Sequence, residues 1–180
     1  MKIDGEKIYI RFLEISDAQA MLDLNLRNKE FFQKYVCTRG DSFYKLRARE
    51  DSIRDSIKQR EDDKQYSFGI FKKDTDELVG NIALSEILRD SLQSCYIGYY
   101  LDIQHNGKGY MTEAVKLAVR FAFEDINLHR IEAGVMPHNI GSISVLEKAS
   151  FHKEGIAQKN VKINGKWEDH QVLAIVNEKD

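Results

Sequence analysis

Proline is nearly absent from this 180-residue chain: Pro137 is the only one, so nothing reads as a proline-rich linker. Cysteine is scarce as well. Cys37 and Cys95 lie far apart, with neither CxxC spacing nor a neighbouring His/Cys cluster, so no metal is expected and both are read as free thiols packed like small apolar groups. No run approaches the roughly 18 apolar residues of a membrane span. Asp4, Glu6 and Arg11 interrupt the apolar residues of the N-terminus, leaving no signal-peptide core, and a cytoplasmic protein without a membrane partner is the expectation. A dominant charge is missing too: 27 Lys+Arg against 29 Asp+Glu give a formal net charge of -2, which argues against nucleic acid as a partner.

What is present describes an ordinary globular chain, 42% apolar and 31% charged. Its length suits one sizeable core, and residues 1–180 are read as a single domain. Ile8 to Leu13 alternates as a strand, and Ser16-Asp17-Ala18-Gln19 has the form of a capping box opening a helix. Leu46 to about Arg60 reads as a charged helix. Tyr66–Phe71, Leu78–Leu84 and Cys95–Leu101 read as three successive strands, hence an antiparallel meander. Beyond Gly109, the apolar residues Met111, Ala114, Val115, Ala118 and Ala122 fall on one helical face, with Glu113, Lys116, Arg120 and Glu124 on the other. Arg130–Val135 is a strand and Ile140–Ala149 a helix, while Lys159–Ile163, Asn164-Gly165 and Trp167–Val176 form a hairpin with a type I′ turn. The fold class is α+β, a mixed and mostly antiparallel sheet with helices on both faces.

The segment richest in chemistry is CYIGYYLDIQHNGKGYMTE, residues 95–113. A strand, a loop with Gly107 and Gly109, and a helix start together aim backbone N–H groups at one point, which suits a pyrophosphate. A plain glycine turn is the competing reading. No P-loop motif occurs, and the third glycine and the acidic residue of a dinucleotide fingerprint are missing.

At these residues the chain resembles the GCN5-related N-acetyltransferases, and within them the ribosomal-protein N-terminal acetyltransferase branch. The family's Q/R-x-x-G-x-G/A signature falls on Asn106-Gly107-Lys108-Gly109-Tyr110-Met111, with Asn in place of Gln/Arg. Further blocks keep the family's order over roughly residues 78 to 173: YIGYYLD, Leu128-His129-Arg130-Ile131, Asn139-Ile140-Gly141-Ser142 and Glu147-Lys148-Ala149-Ser150-Phe151. The resemblance implies an acetyl-CoA-dependent N-acetyltransferase with splayed central strands. Backbone groups of Leu101 and Ile103 would bond the pantetheine arm, Asn106 to Thr112 would hold the pyrophosphate, and Asn139 would bond the arm from the other side.

For catalysis, the resemblance implies an oxyanion donor at a backbone N–H near Tyr100 or Leu101. The family's usual acid tyrosine is replaced by Leu146, and Ser142 matches the serine of ribosomal-type relatives; its competing role is that of a helix-start residue. Tyr96 replaces the frequent glutamate base, leaving Glu86, Glu132 or ordered water. His105, His129 and His138 are read as structural. Phe31, Phe32 and Tyr35 either wall an acceptor pocket or pack in the core. The acceptor implied is a protein N-terminal α-amine. Ile163-Asn164-Gly165-Lys166-Trp167 also resembles a hairpin of spermidine acetyltransferases, so a polyamine or other small amine stays open, as does a non-catalytic acyl-CoA sensor. The resemblance extends to a homodimer or higher homo-oligomer.

Overall fold

A computed structural model describes residues 1–179. Eight strands form one sheet: β1 (Lys2–Asp4), β2 (Ile8–Phe12), β3 (Gln65–Lys72), β4 (Leu78–Leu88), β5 (Ser94–Leu101), β6 (Arg130–Val135), β7 (His152–Ile163) and β8 (Lys166–Val176). Their order across the sheet is β1-β2-β3-β4-β5-β6-β8-β7. Only β5 and β6 pair in parallel, so the sheet is mixed and mostly antiparallel.

Strand alternation sends apolar residues to both faces. Ile8, Ile10, Phe68, Ile70, Val79 and Ile82 point to one side, where α4 (Tyr110–Glu124) and α5 (Ile140–Lys148) pack. Tyr9, Phe71 and Leu78 point to the other, under α1 (Ala18–Arg27) and α3 (Leu46–Glu61), with the short α2 (Lys29–Phe32) between them. The expected face of α4 is buried and widened by Leu117 and Phe121. Phe121 meets the rings of Phe12, Tyr66 and Phe68 edge-on, a geometry that the ring quadrupoles favour.

Three local expectations are corrected, and one strand is added. Helix α1 is not opened by a box at Ser16; Arg11 grips both Asp17 carboxylate oxygens at 2.7 and 2.8 Å, and Asp17 accepts the Glu14 N–H at 2.8 Å, which places the box two residues earlier, at Glu14 and Asp17. Strand β7 begins at His152 rather than Lys159; it is an exposed edge strand broken by positive φ at Gly155 and Lys159, so it lacks the apolar alternation that marks a strand in sequence. Strand β1 is a three-residue edge with no periodicity to read. Cys95 is buried, whereas Cys37 is exposed.

Helix α1 is fastened to the end of β5 by buried polar groups. Asp102 is 1% exposed; its carboxylate accepts from Arg27 Nε at 2.5 Å and from the Gln104 N–H at 3.1 Å. Asn28, equally buried, accepts the Ile103 N–H at 2.9 Å. Burial alone would raise the Asp102 pKa, but Arg27 and the Gln104 N–H hold it below the ordinary carboxylate value. Asp17 behaves likewise beside Arg11.

Asp102→Ala should therefore cost about 2–3 kcal/mol in a urea titration, since it strands Arg27 and a loop N–H. Because folding lowers these carboxylate pKa values, the stability they contribute is complete above the unfolded value of 3.8 and is lost as pH falls through the folded values. An acid limb that D102A flattens would confirm it.

Candidate active site

Strands β5 and β6 pair over only three positions, Ser94↔Arg130 to Tyr96↔Glu132. Past Tyr96, β5 stays bound to β4 as far as Gly80↔Leu101, while β6 stays bound to β8 through Val135↔Gln171. The sheet therefore opens as a wedge. The Asp102 N–H bonds Val79 C=O at 2.8 Å, which fixes the parity of the antiparallel ladder. Residues 98, 100 and 102 spend their backbone groups on β4, whereas Ile97, Tyr99 and Leu101 turn theirs into the wedge. Of the two backbone groups expected as oxyanion donors, that of Tyr100 is spent on β4, whereas that of Leu101 faces the wedge. Ile103 is corrected: its N–H is held by Asn28, and it does not line the cleft.

At the mouth of the wedge, Gly107 (φ 77°) and Gly109 (φ 84°) adopt left-handed backbone, and Gly109 forms the N-cap of α4. The first bond of this loop to the helix is Glu113 N–H to Gly109 C=O at 3.0 Å. The N–H groups of Tyr110, Met111 and Thr112 precede it, and the first turn of a helix has no intrahelical partners for such donors. The helix dipole adds positive potential at the same place. His105 is buried beneath the loop, its Nδ1 3.3 Å from Lys108 Nζ and its ring 5.9 Å from that of Tyr110. This loop fits the doubly charged, tetrahedral oxygens of a diphosphate.

The cleft holds about 1160 Å³ and runs from this loop to the far face of the sheet, enough for an elongated ligand and a second molecule. Leu101, Asn106 to Thr112, Asn139 and Ser142 all line it. Asn139 Oδ1 caps α5 by accepting the Ser142 N–H at 3.2 Å. On the α4 and α5 face, Tyr99 Oη lies 2.9 Å from Ser142 Oγ. Burial pushes the Tyr99 phenol up to about 12 against the opposing bond from Ser142, so it stays protonated at neutral pH. Sequence reasoning missed Tyr99; the alternation of YIGYYLD is its one signal, since it puts residue 99 on the face opposite residue 100.

On the opposite face, the Tyr100 ring lies tilted against that of Phe32, 5.0 Å between centroids, with burial raising its pKa as well. Phe31, Phe32 and Tyr35 line this half, and His138 stacks on Tyr35 at 6.2 Å. Glu86 is corrected: it sits exposed at a bulge of β4, with φ 53°, near the closed end of the wedge. Glu132 is occupied by Arg130 at 2.9 Å. Leu146 is fully buried in the core. Among the described residues, no group of three or more His, Cys, Asp or Glu is arranged to hold a metal, and no helix is long and apolar enough to cross a membrane.

A Cβ at Gly109 meets no neighbouring atom, yet valine there must adopt φ 84°, at a cost of about 1–2 kcal/mol. The variant should fold, lose that much stability on denaturation, and bind a diphosphate ligand more weakly by calorimetry.

The sequence matches the acetyltransferase (GNAT) domain family over residues 7–152. The probable N-acetyltransferase YjcK of Bacillus subtilis is 53% identical over 99% of this chain and 98% of its own length. The crystal structure of ribosomal-protein-S5-alanine acetyltransferase from Vibrio fischeri superposes with a TM-score of 0.93 at 29% identity, covering 99% of this chain and 97% of that one. Mycobacterium smegmatis RimJ, solved in complex with CoA-disulfide, superposes with a TM-score of 0.90 over 96% of this chain and 83% of its own; at 24% identity it shares the fold. With the family domain spanning most of the sequence, and a glycine loop, helix N-terminus and parted strands beneath it, this chain is a member of the GNAT N-acetyltransferase family.

Proposed function

We propose that the protein transfers the acetyl group of acetyl-CoA to the α-amine of a polypeptide N-terminus, by direct attack while both substrates are bound. The observation that carries this reading is the wedge, which joins a diphosphate-suited loop on one face of the sheet to an aromatic pocket on the other. The pantetheine arm of acetyl-CoA would thread the wedge along the free backbone groups of Tyr99 and Leu101, with its pyrophosphate on residues 106–112. RimJ, which shares the fold, was solved in complex with CoA-disulfide, which supports a CoA ligand here.

The thioester carbonyl then lies beside the Leu101 N–H, a donor for the oxyanion that forms as the amine attacks. When the carbon–sulfur bond breaks, the thiolate needs a proton. The Ser142 hydroxyl is placed to give one, and Tyr99 at 2.9 Å is placed to restore it. The proton leaving the amine goes to water, because the aromatic half of the cleft offers no carboxylate base.

The acceptor is argued from charge. The carboxylates that line the cleft, Asp4, Glu6 and Glu113, gather at the start of α4, where Glu113 accepts the Glu6 and Lys7 N–H groups. The opposite half presents Asn25, Phe32, Tyr35, Arg39 and Tyr44. A polyamine carries several positive charges and needs acidic residues around it, whereas an α-amine titrates near ~7.7–8.0 and is partly neutral at physiological pH. The relative from Vibrio fischeri, named as a ribosomal-protein-S5-alanine acetyltransferase, points the same way.

Release of free CoA should be fastest with unblocked N-terminal peptides, slower with α-blocked peptides carrying lysine, and slowest with spermidine. With the preferred peptide, kcat/KM should rise with pH through about 8 as the amine loses its proton. Faster turnover of spermidine would reassign the acceptor, and no CoA release with any amine would favour an acyl-CoA sensor. Ser142→Ala should lower kcat by about 10²-fold with little change in acetyl-CoA affinity, and Tyr99→Phe by roughly tenfold. An unaltered rate in both would leave the pair a packing role.

A further inference from the structure

The acceptor half of the cleft stands beside a charge that the chemistry above does not use. Arg49 of α3 is 5% exposed, and its guanidinium carbon lies 3.6 Å from the centre of the Phe43 ring. Its Nε has no hydrogen-bond partner. The ionisable groups that act on it are Tyr100, Arg39 and Tyr44, none of them a carboxylate, and burial pushes its pKa down. The two acids of α3 next to it in sequence are engaged elsewhere: Asp51 and Glu50 lie 3.1 and 3.9 Å from Arg54. Arg39 lines the cleft and approaches the same Phe43 ring at 5.2 Å. Two guanidinium groups thus converge on one aromatic side chain of the pocket. A buried cation without a counter-charge burdens the fold, and an anionic ligand would relieve it.

We propose that Arg49 and Arg39 form an anion subsite that selects acceptors bearing a carboxylate close to the reacting amine. The inference rests on the acceptor-pocket reading above and extends it to substrate class. Guanidinium groups match carboxylate oxygens in pairs, and the Phe43 ring, which lines the cleft as Arg39 does, lies against both cations. The carboxylate can belong to an acidic side chain at the second position of a peptide or to the α-carboxyl of a free amino acid.

The experiment compares kcat/KM for C-terminally amidated peptides beginning Ala-Asp and Ala-Asn, and for alanine against alaninamide. The wild-type protein should favour the acid member of at least one pair by about tenfold, the scale of one charge-assisted contact. Arg39→Met and Arg49→Met should each bring that ratio close to one, while Arg47→Met, at an exposed position of the same helix, should leave it unchanged. Arg49→Met should also melt higher than wild type, because its uncompensated charge is gone. Arg39 is exposed, so its variant tests the subsite even if Arg49→Met fails to fold. Equal rates for acid and amide in both pairs, or a preference that survives both substitutions, would overturn the subsite. If peptides are acetylated without acid preference, the subsite falls and the N-terminal reading stands. If alanine alone is taken over alaninamide in an arginine-dependent way, the N-terminal reading falls and the subsite stands.

Discussion

The architecture depends on a sheet that divides without unravelling. When β5 and β6 separate after three pairs, each keeps its partner on the other side, β4 and β8 respectively, so neither strand is left as a free ribbon. The cost falls on the backbone groups that face the opening, which are polar, partly enclosed and unmatched by protein. Such groups are a standing demand for a ligand with amides of its own. The anchor of Asp102 and Asn28 to α1 holds the end of β5 at a fixed angle, so the width of the opening is set by packing on the far side of the sheet. Stability and ligand geometry share the same few bonds there.

The two faces of the divided sheet have different characters, and the difference follows from strand alternation. Successive tyrosines on β5 go to opposite sides: Tyr99 to the hydroxyl pair with Ser142, Tyr100 to the aromatic wall with Phe32. In the proposed reaction, one dipeptide would therefore furnish a polar contact for the leaving group and an apolar surface for the incoming amine. Charge is divided in the same way, with acids near the start of α4 and guanidinium groups across the sheet.

Local features were the legible ones. The apolar face of α4, the glycines before it and the Asn164-Gly165 turn, with φ of 49° and 86°, are each specified by neighbours within a few residues. Features that depend on ladder parity or on distant pairing were not. The family resemblance assigns Ile103 to the arm, yet Asn28, 75 positions earlier, takes its N–H. Glu86 is expected on or beside a strand bordering the site, whereas it sits exposed at a bulge of β4. The Tyr99 and Ser142 hydroxyls are 43 positions apart, and no local spacing announces them. Arg49 looks like any other charge on a charged helix until its burial is known.

The tip of the C-terminal hairpin touches the loop that walls the acceptor pocket. Asn164 Oδ1 accepts the Thr38 N–H at 2.8 Å, and Cys37 Sγ lies 3.6 Å from the Lys162 carbonyl. Position 164 therefore answers to two requirements at once: a left-handed backbone that closes the turn and a side-chain oxygen that reaches the loop. Glycine meets the first and forfeits the second, aspartate can meet both, and most other residues meet neither. Drift at the hairpin tip would thus move the acceptor wall while leaving the phosphate loop untouched, which gives this scaffold a route to new amines that never disturbs its hold on the acyl donor.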